Sequence, residues 1–130
     1  MARTTQLTLS LVSRPGTLAA LARTLAEARV NITALSAAET SGRGKIRLVV
    51  NDAARARRAL RKAGYRPTEE PVFALRLRNK PGALARVAAR LAKARINVRS
   101  VYATAAGRGA AVVVLTVGGN PSKARRVLGR

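Results

Sequence analysis

The chain has 130 residues, 48% of them hydrophobic and only 2% aromatic, with 26 Lys and Arg against five Asp and Glu, a formal net charge of +21. It contains no Cys and no His, which excludes disulfides and thiolate metal sites and removes the commonest acid–base side chains. A charge of this size attracts polyanions, and no apolar run approaches membrane-spanning length.

The first residues, Met1-Ala2-Arg3-Thr4-Thr5-Gln6, lack the apolar core of a secretory signal, so a soluble cytoplasmic protein is expected. Leu7, Leu9 and Leu11 alternate with Thr8, Ser10 and Val12, the period of a strand with one buried face. Pro15-Gly16 ends that strand. Apolar residues at helical spacing then predict a helix over about 15–28, with Pro15 in its first turn, where a missing N–H costs nothing. Arg29-Val30-Asn31 closes it, and Asn31 suits the left-handed conformation that a helix exit often needs. Strands follow over 32–39 and 46–50, joined by a turn at Ser41-Gly42-Arg43-Gly44. Asn51-Asp52 caps a second helix over about 53–63, with Ala56, Ala59, Leu60 and Ala63 facing inward, and Gly64 stops it. Residues 65–70 read as a fourth strand.

The same order then returns. Phe73, Leu75 and Leu77 form the buried face of a strand, and residues 81–94 form a helix. Strands over 99–105 and 111–117 flank a turn at Ala106-Gly107-Arg108-Gly109. Gly118-Gly119-Asn120-Pro121 opens a last helix that runs to about Leu128. Arg14-Pro15-Gly16-Thr17-Leu18 stands sixty-six positions before Lys80-Pro81-Gly82-Ala83-Leu84, and Asn31-Ile32 stands at the same offset from Asn97-Val98. The chain is therefore a tandem repeat, with modules over 1–70 and 71–130. Strand–helix–strand units with antiparallel neighbours give an α+β fold, each module with both helices on one face of its sheet. The second module lacks its last strand, and the unpaired edge that results invites a second chain.

Strand, Pro-Gly turn, aliphatic helix and Asn-aliphatic exit, found twice, resemble the ACT domain. The resemblance runs from about Leu7 to Leu128 and is closer in the second copy, where Asn79 precedes the turn. It implies two tandem ferredoxin-like βαββαβ modules and an allosteric, non-catalytic protein that binds a free amino acid or similar small effector at an interface between modules, as a homodimer. The ligand-binding residues it implies are Ser13, Arg14, Gly16, Thr17 and Leu18 in the first module and Asn79, Lys80, Gly82, Ala83 and Leu84 in the second. Asn31, Ile32, Asn97 and Val98 complete the pockets or serve only as helix exits. Free N–H groups at a helix start favour a carboxylate, and the side-chain amide of Asn79 could accept from an ammonium or donate to a carboxylate. No cofactor is expected.

Two other readings stand beside this one. Arg55, Arg57, Arg58, Arg61 and Lys62, then Arg86, Arg90 and Lys93, then Lys123, Arg125, Arg126 and Arg130 crowd the helices and the last residues, so nucleic acid could bind them through phosphate contacts. Alternatively the chain is a regulatory subunit of an amino-acid biosynthetic enzyme. Catalysis by the chain alone is not expected: the few carboxylates are scattered, and adjacent Glu69 and Glu70 point to opposite faces of a strand.

Overall fold

A computed structural model describes residues 2–107 and 109–129. Among them the chain order is β1 (Ala2–Val12), α1 (Thr17–Glu27), β2 (Ile32–Thr40), β3 (Arg43–Val50), α2 (Ala53–Lys62), β4 (Thr68–Arg78), α3 (Ala83–Lys93), β5 (Val98–Gly107), β6 (Ala110–Val117) and α4 (Pro121–Leu128). Neighbouring strands run antiparallel. The chain divides into two compact units, Thr5–Glu70 and Met1–Thr4 with Pro71–Arg130.

In the unit of Thr5–Glu70 the strands lie in the order β2-β3-β1, with the start of β4 beyond β1. Leu7 stands opposite Leu48 and Leu9 opposite Ile46, so one face of the sheet is apolar. Leu21 and Leu25 of α1 and Ala56 and Leu60 of α2 pack on that face with Val30 and Val50. Each fully buried Leu contributes about 1.5–3 kcal/mol. The inward face of α2 is narrower than its alanines suggest: Ala56 and Leu60 are buried, but Ala63 is exposed, because it already lies past the last helical residue as the C-cap. The fourth strand expected over 65–70 begins at Thr68, where the Thr68 hydroxyl donates to the Thr8 carbonyl at 3.4 Å and Gln6 Nε2 donates to Glu70 at 3.0 Å. It then continues as the strand expected from Phe73. Pro71 reads as a break, yet the rungs of β4 with β6 run only from Phe73 to Arg78, so the missing Pro71 donor removes none of them.

In the other unit the order is β5-β6-β4. Phe73, Leu75, Val113 and Leu115 face Val87 and Leu91 of α3 and Ala124 and Leu128 of α4. The second repeat does lack a last strand of its own, but the edge of β4 is not left bare: β1 neighbours it, and the residues of β1 that fall in this unit take that place. The alternation that marks β1 begins only at Leu7, because Ala2-Arg3-Thr4-Thr5 pairs through its backbone and carries no apolar signal.

Three local expectations are corrected. Pro15 and Pro81 precede the helices rather than opening them, because Gly16 and Gly82 sit at the N-cap in a left-handed conformation that a helix cannot continue. The first hairpin turns on Ser41 and Gly42 alone, since Thr40 already pairs with Arg43; in the second hairpin, Arg108 lies outside the described residues. The left-handed residues at the helix exits are Arg29 (φ 59) and Arg95 (φ 60), not the asparagines. At each exit two backbone bonds close the last turn, Arg29 to Ala26 and Val30 to Leu25, then Arg95 to Ala92 and Ile96 to Leu91, all 2.9–3.0 Å. The turn comes this early because Val30 and Ile96 must fold back onto the cores. A non-glycine residue is strained there, so Arg29→Gly and Arg95→Gly are each expected to stabilise the protein by about 0.5–1 kcal/mol, read as a rise in Tm. An unchanged or lower Tm would show that the arginine side chains hold the exits by contacts of their own.

Candidate functional site

The two Pro-Gly turns are built alike. Ser13 N–H donates to the Gly42 carbonyl at 2.8 Å and Asn79 N–H to that of Gly109 at 2.6 Å, tying each strand end to a hairpin. Thr17 N–H then reaches the Arg14 carbonyl at 3.2 Å, and Ala83 N–H that of Lys80 at 3.3 Å. Gly16 (φ 91) and Gly82 (φ 90) reverse the chain into the helix. The first helix hydrogen bonds, Ala20 to Gly16 and Arg86 to Gly82, leave the N–H groups of Leu18, Ala19, Leu84 and Ala85 without a partner inside their helices. Neither helix has a side-chain cap.

Beside the first turn lies a cavity of about 250 Å³, lined by Ser13, Arg14, Thr17 and Leu18 on one part and Ala37, Ala38 and Glu39 of β2 on another. Gly44 helps to make the room. Leu11 and Glu39 both pair with it, and it places no side chain between them. Arg14 and Glu39 therefore line the same small space. The Glu39 carboxylate has no hydrogen bond or ion pair among the described residues, whereas Asp52 caps α2 through Arg55 N–H at 3.1 Å, Glu69 takes both its bonds from Arg57 at 3.0 Å, and Glu70 accepts from Gln6. Three of the five acids are thus structural, and Glu39 is left facing the cavity.

A second, more open groove lies along each helix start. In the first unit it measures about 450 Å³ and is lined by Arg14, Pro15, Gly16, Thr17, Ala20 and Tyr65, among others. In the other unit it measures about 580 Å³, and its polar lining is Arg76, Arg78, Lys80, Arg86 and Arg90.

The chain matches the model of a family described as an ACT domain pair, over residues 2–129. It belongs to that family. A protein of Bacteroides thetaiotaomicron whose crystal structure is known is similar at 29% identity and a TM-score of 0.89, over 98% of this chain and 87% of the other. The regulatory subunits of aspartate kinase from Thermus thermophilus (15% identity, TM-score 0.73, 99% and 94% covered) and Thermus flavus (16%, 0.69, 98% and 94%) share the fold. No curated protein matches in sequence.

In this ACT pair the expected site residues separate into two sets. Ser13, Arg14, Thr17 and Leu18 come together at the small cavity, with Gly16 on the adjoining groove. Lys80 and Ala83 line the second unit's groove, Gly82 lies beside the Arg86 guanidinium, and Asn79 and Leu84 are exposed. Asn31, Ile32, Asn97 and Val98 are not brought to the turns. They stand at the far ends of 11-residue helices, roughly 16 Å away along the axis. Asn31 and Asn51 exchange hydrogen bonds of 2.9 and 3.1 Å, Asn97 accepts from Gly118 N–H, and Ile32 and Val98 pack against the cores. Sequence reasoning missed Glu39, Arg76 and Arg78, and read Arg86 only as part of a basic helix face. The scarcity of acids was the available signal for Glu39; for the arginines it was their absence from the matching positions of the first repeat.

Among the described residues no group of three or more His, Cys, Asp and Glu could hold a metal ion, and no helix is long and apolar enough to cross a membrane. Leu18 and Leu84, equivalent in the repeat, are each 47% exposed, and Leu35 and Val101, also equivalent, are 38% and 47% exposed.

Proposed function

We propose that this ACT pair is a non-catalytic sensor that binds a free amino acid at its first Pro-Gly turn. The observation that carries the reading is the shared lining of one small cavity by Arg14 and Glu39. A free amino acid presents a carboxylate and an ammonium from one carbon. The Arg14 guanidinium and the Leu18 and Ala19 N–H groups suit the carboxylate, and Glu39 suits the ammonium. At about 250 Å³ the cavity falls below the range of drug-sized sites, as a ligand of few atoms requires. The second repeat has Lys80 at the position of Arg14 but Ala105 at that of Glu39, so the acid belongs to the first turn alone.

Binding would act on a separate partner. The same fold serves as the regulatory subunit of aspartate kinase in Thermus, and a ligand that favours one arrangement of its binding elements shifts the population that a partner meets. The exposed Leu18 and Leu35 favour a homodimer as the working form. Nothing comparable favours nucleic acid: Phe73 is buried, Tyr65 and Tyr102 are half-buried, and Arg57 is held by Glu69.

Thermal unfolding in the presence of each free amino acid tests the reading. At a hundredfold excess over Kd the correct ligand stabilises by about 2.7 kcal/mol. Glu39→Gln keeps the shape of the side chain and removes its charge, and is expected to weaken that ligand about tenfold or more, the worth of a charge-assisted hydrogen bond. A flat response to every amino acid at millimolar concentration would defeat the proposal. So would an affinity that ignores Glu39→Gln.

A further inference from the structure

The two open grooves are the same place in the two repeats, yet their chemistry differs. Leu11, Val12, Arg14, Thr17 and Ala20 line one groove; Leu77, Arg78, Lys80, Ala83 and Arg86, each sixty-six positions further on, line the other. Of the five cations in the second groove, only Lys80 has a basic counterpart, Arg14. Arg76, Arg78, Arg86 and Arg90 stand where the first repeat has Ser10, Val12, Ala20 and Thr24. No acid lines the groove. A general surplus of arginine would have loaded both copies, so the repeat serves as its own control.

The placement is electrostatically unfavourable without an anion. A Cβ on Gly82 would lie 3.4 Å from Arg86 Nη1, so the guanidinium folds back over the start of α3, the positive end of that helix. The side chains of Arg76, Arg78, Lys80 and Arg86 have no hydrogen bond or ion pair among the described residues. Like charges gathered in one groove repel one another unless something neutralises them.

We propose that this groove of the second unit is a binding site for a small anion bearing two or more linked phosphate groups. The site is separate from the amino-acid cavity and does not depend on that reading. A zwitterion suits it poorly, because its ammonium would meet only cations. Linked phosphates carry several negative charges within a few ångströms, and guanidinium forks match their oxygens two at a time. The groove, at about 580 Å³, has room for such a ligand.

Isothermal titration of the full chain with inorganic pyrophosphate, inorganic triphosphate and a nucleoside triphosphate, at about 0.15 M salt to screen distant charges, tests the assignment. Arg78→Val with Arg86→Ala installs the residues that the first repeat carries at the matching positions of its own groove. Arg58→Ala with Arg61→Ala removes the same charge from exposed positions on α2, which are not part of the groove's lining. Pyrophosphate or a triphosphate is expected to bind the parent, to lose about tenfold or more in affinity with the groove variant, and to stay within about twofold with the α2 variant. Tighter binding of the nucleoside triphosphate than of inorganic triphosphate identifies a nucleotide; equal binding identifies the phosphate chain alone as what is read. Should the double variant melt below the assay temperature, Arg76→Ser supplies the same comparison. The proposal is overturned if no phosphate compound binds at this salt, if both variants weaken binding equally, or if only an oligonucleotide binds.

Discussion

Leu48→Ala is expected to lower the free energy of unfolding by about 3–4 kcal/mol, within the range for emptying a well-packed leucine site. Leu48 is fully buried in β3, opposite Leu7 of β1 on one side and Leu35 of β2 on the other, beneath the Leu21, Leu25 and Leu60 side chains. Its neighbours are held by three strands and two helices, so they cannot close the void. Small domains have roughly 5–15 kcal/mol in all, so the loss should appear as a large fall in the denaturant midpoint. Leu18→Ala removes the same atoms from a side chain 47% exposed at the rim of the cavity, and should cost under about 1 kcal/mol. Equal losses from the two substitutions would mean that the core does not sit between this sheet and these helices.

Gly82→Val is expected to destabilise by about 2–3 kcal/mol. At φ 90 a β-branched side chain is strained whatever room it has; its Cβ would stand 3.4 Å from Arg86 Nη1, the end of a flexible side chain that can move aside. Gly16→Val meets the same backbone strain at φ 91 with nothing within 4 Å, so its cost should be similar. Gly16→Val is also expected to abolish the amino-acid response, because the reversed turn sets Arg14 beside the cavity. If Gly82→Val melted like the parent, the turn could not be left-handed, and the placement of Arg86 over α3 would fall with it.

The repeated pattern of Leu7, Leu9 and Leu11 and of Phe73, Leu75 and Leu77 was enough to place the buried strands, since alternation follows directly from the pleat. The helices were legible for the same reason, at their own period, and Asp52 and Asn120 marked two starts through the N–H groups they accept from. The exits were harder. Asparagine is the usual tolerant residue, but Arg29 and Arg95 are left-handed because the cores recapture Val30 and Ile96. Residues 65–70 and the run from Phe73 read as two strands, and the structure joins them into one, β4, through Pro71.

The candidate site was half legible. Ser13, Arg14, Thr17 and Leu18 are contiguous, and a turn motif names contiguous residues. Glu39 is distant in sequence and reaches the cavity only through the register that sets it against Gly44. Residue type and local period are properties of the chain alone. They decided the ACT-type repeat, the aliphatic cores and the two Pro-Gly turns. Which strand ends serve which unit and which acid shares a cavity with which base depend on pairings between residues far apart in the chain. Those pairings are made by backbone hydrogen bonds whose partners carry no mark in the sequence, so tertiary structure alone decided them.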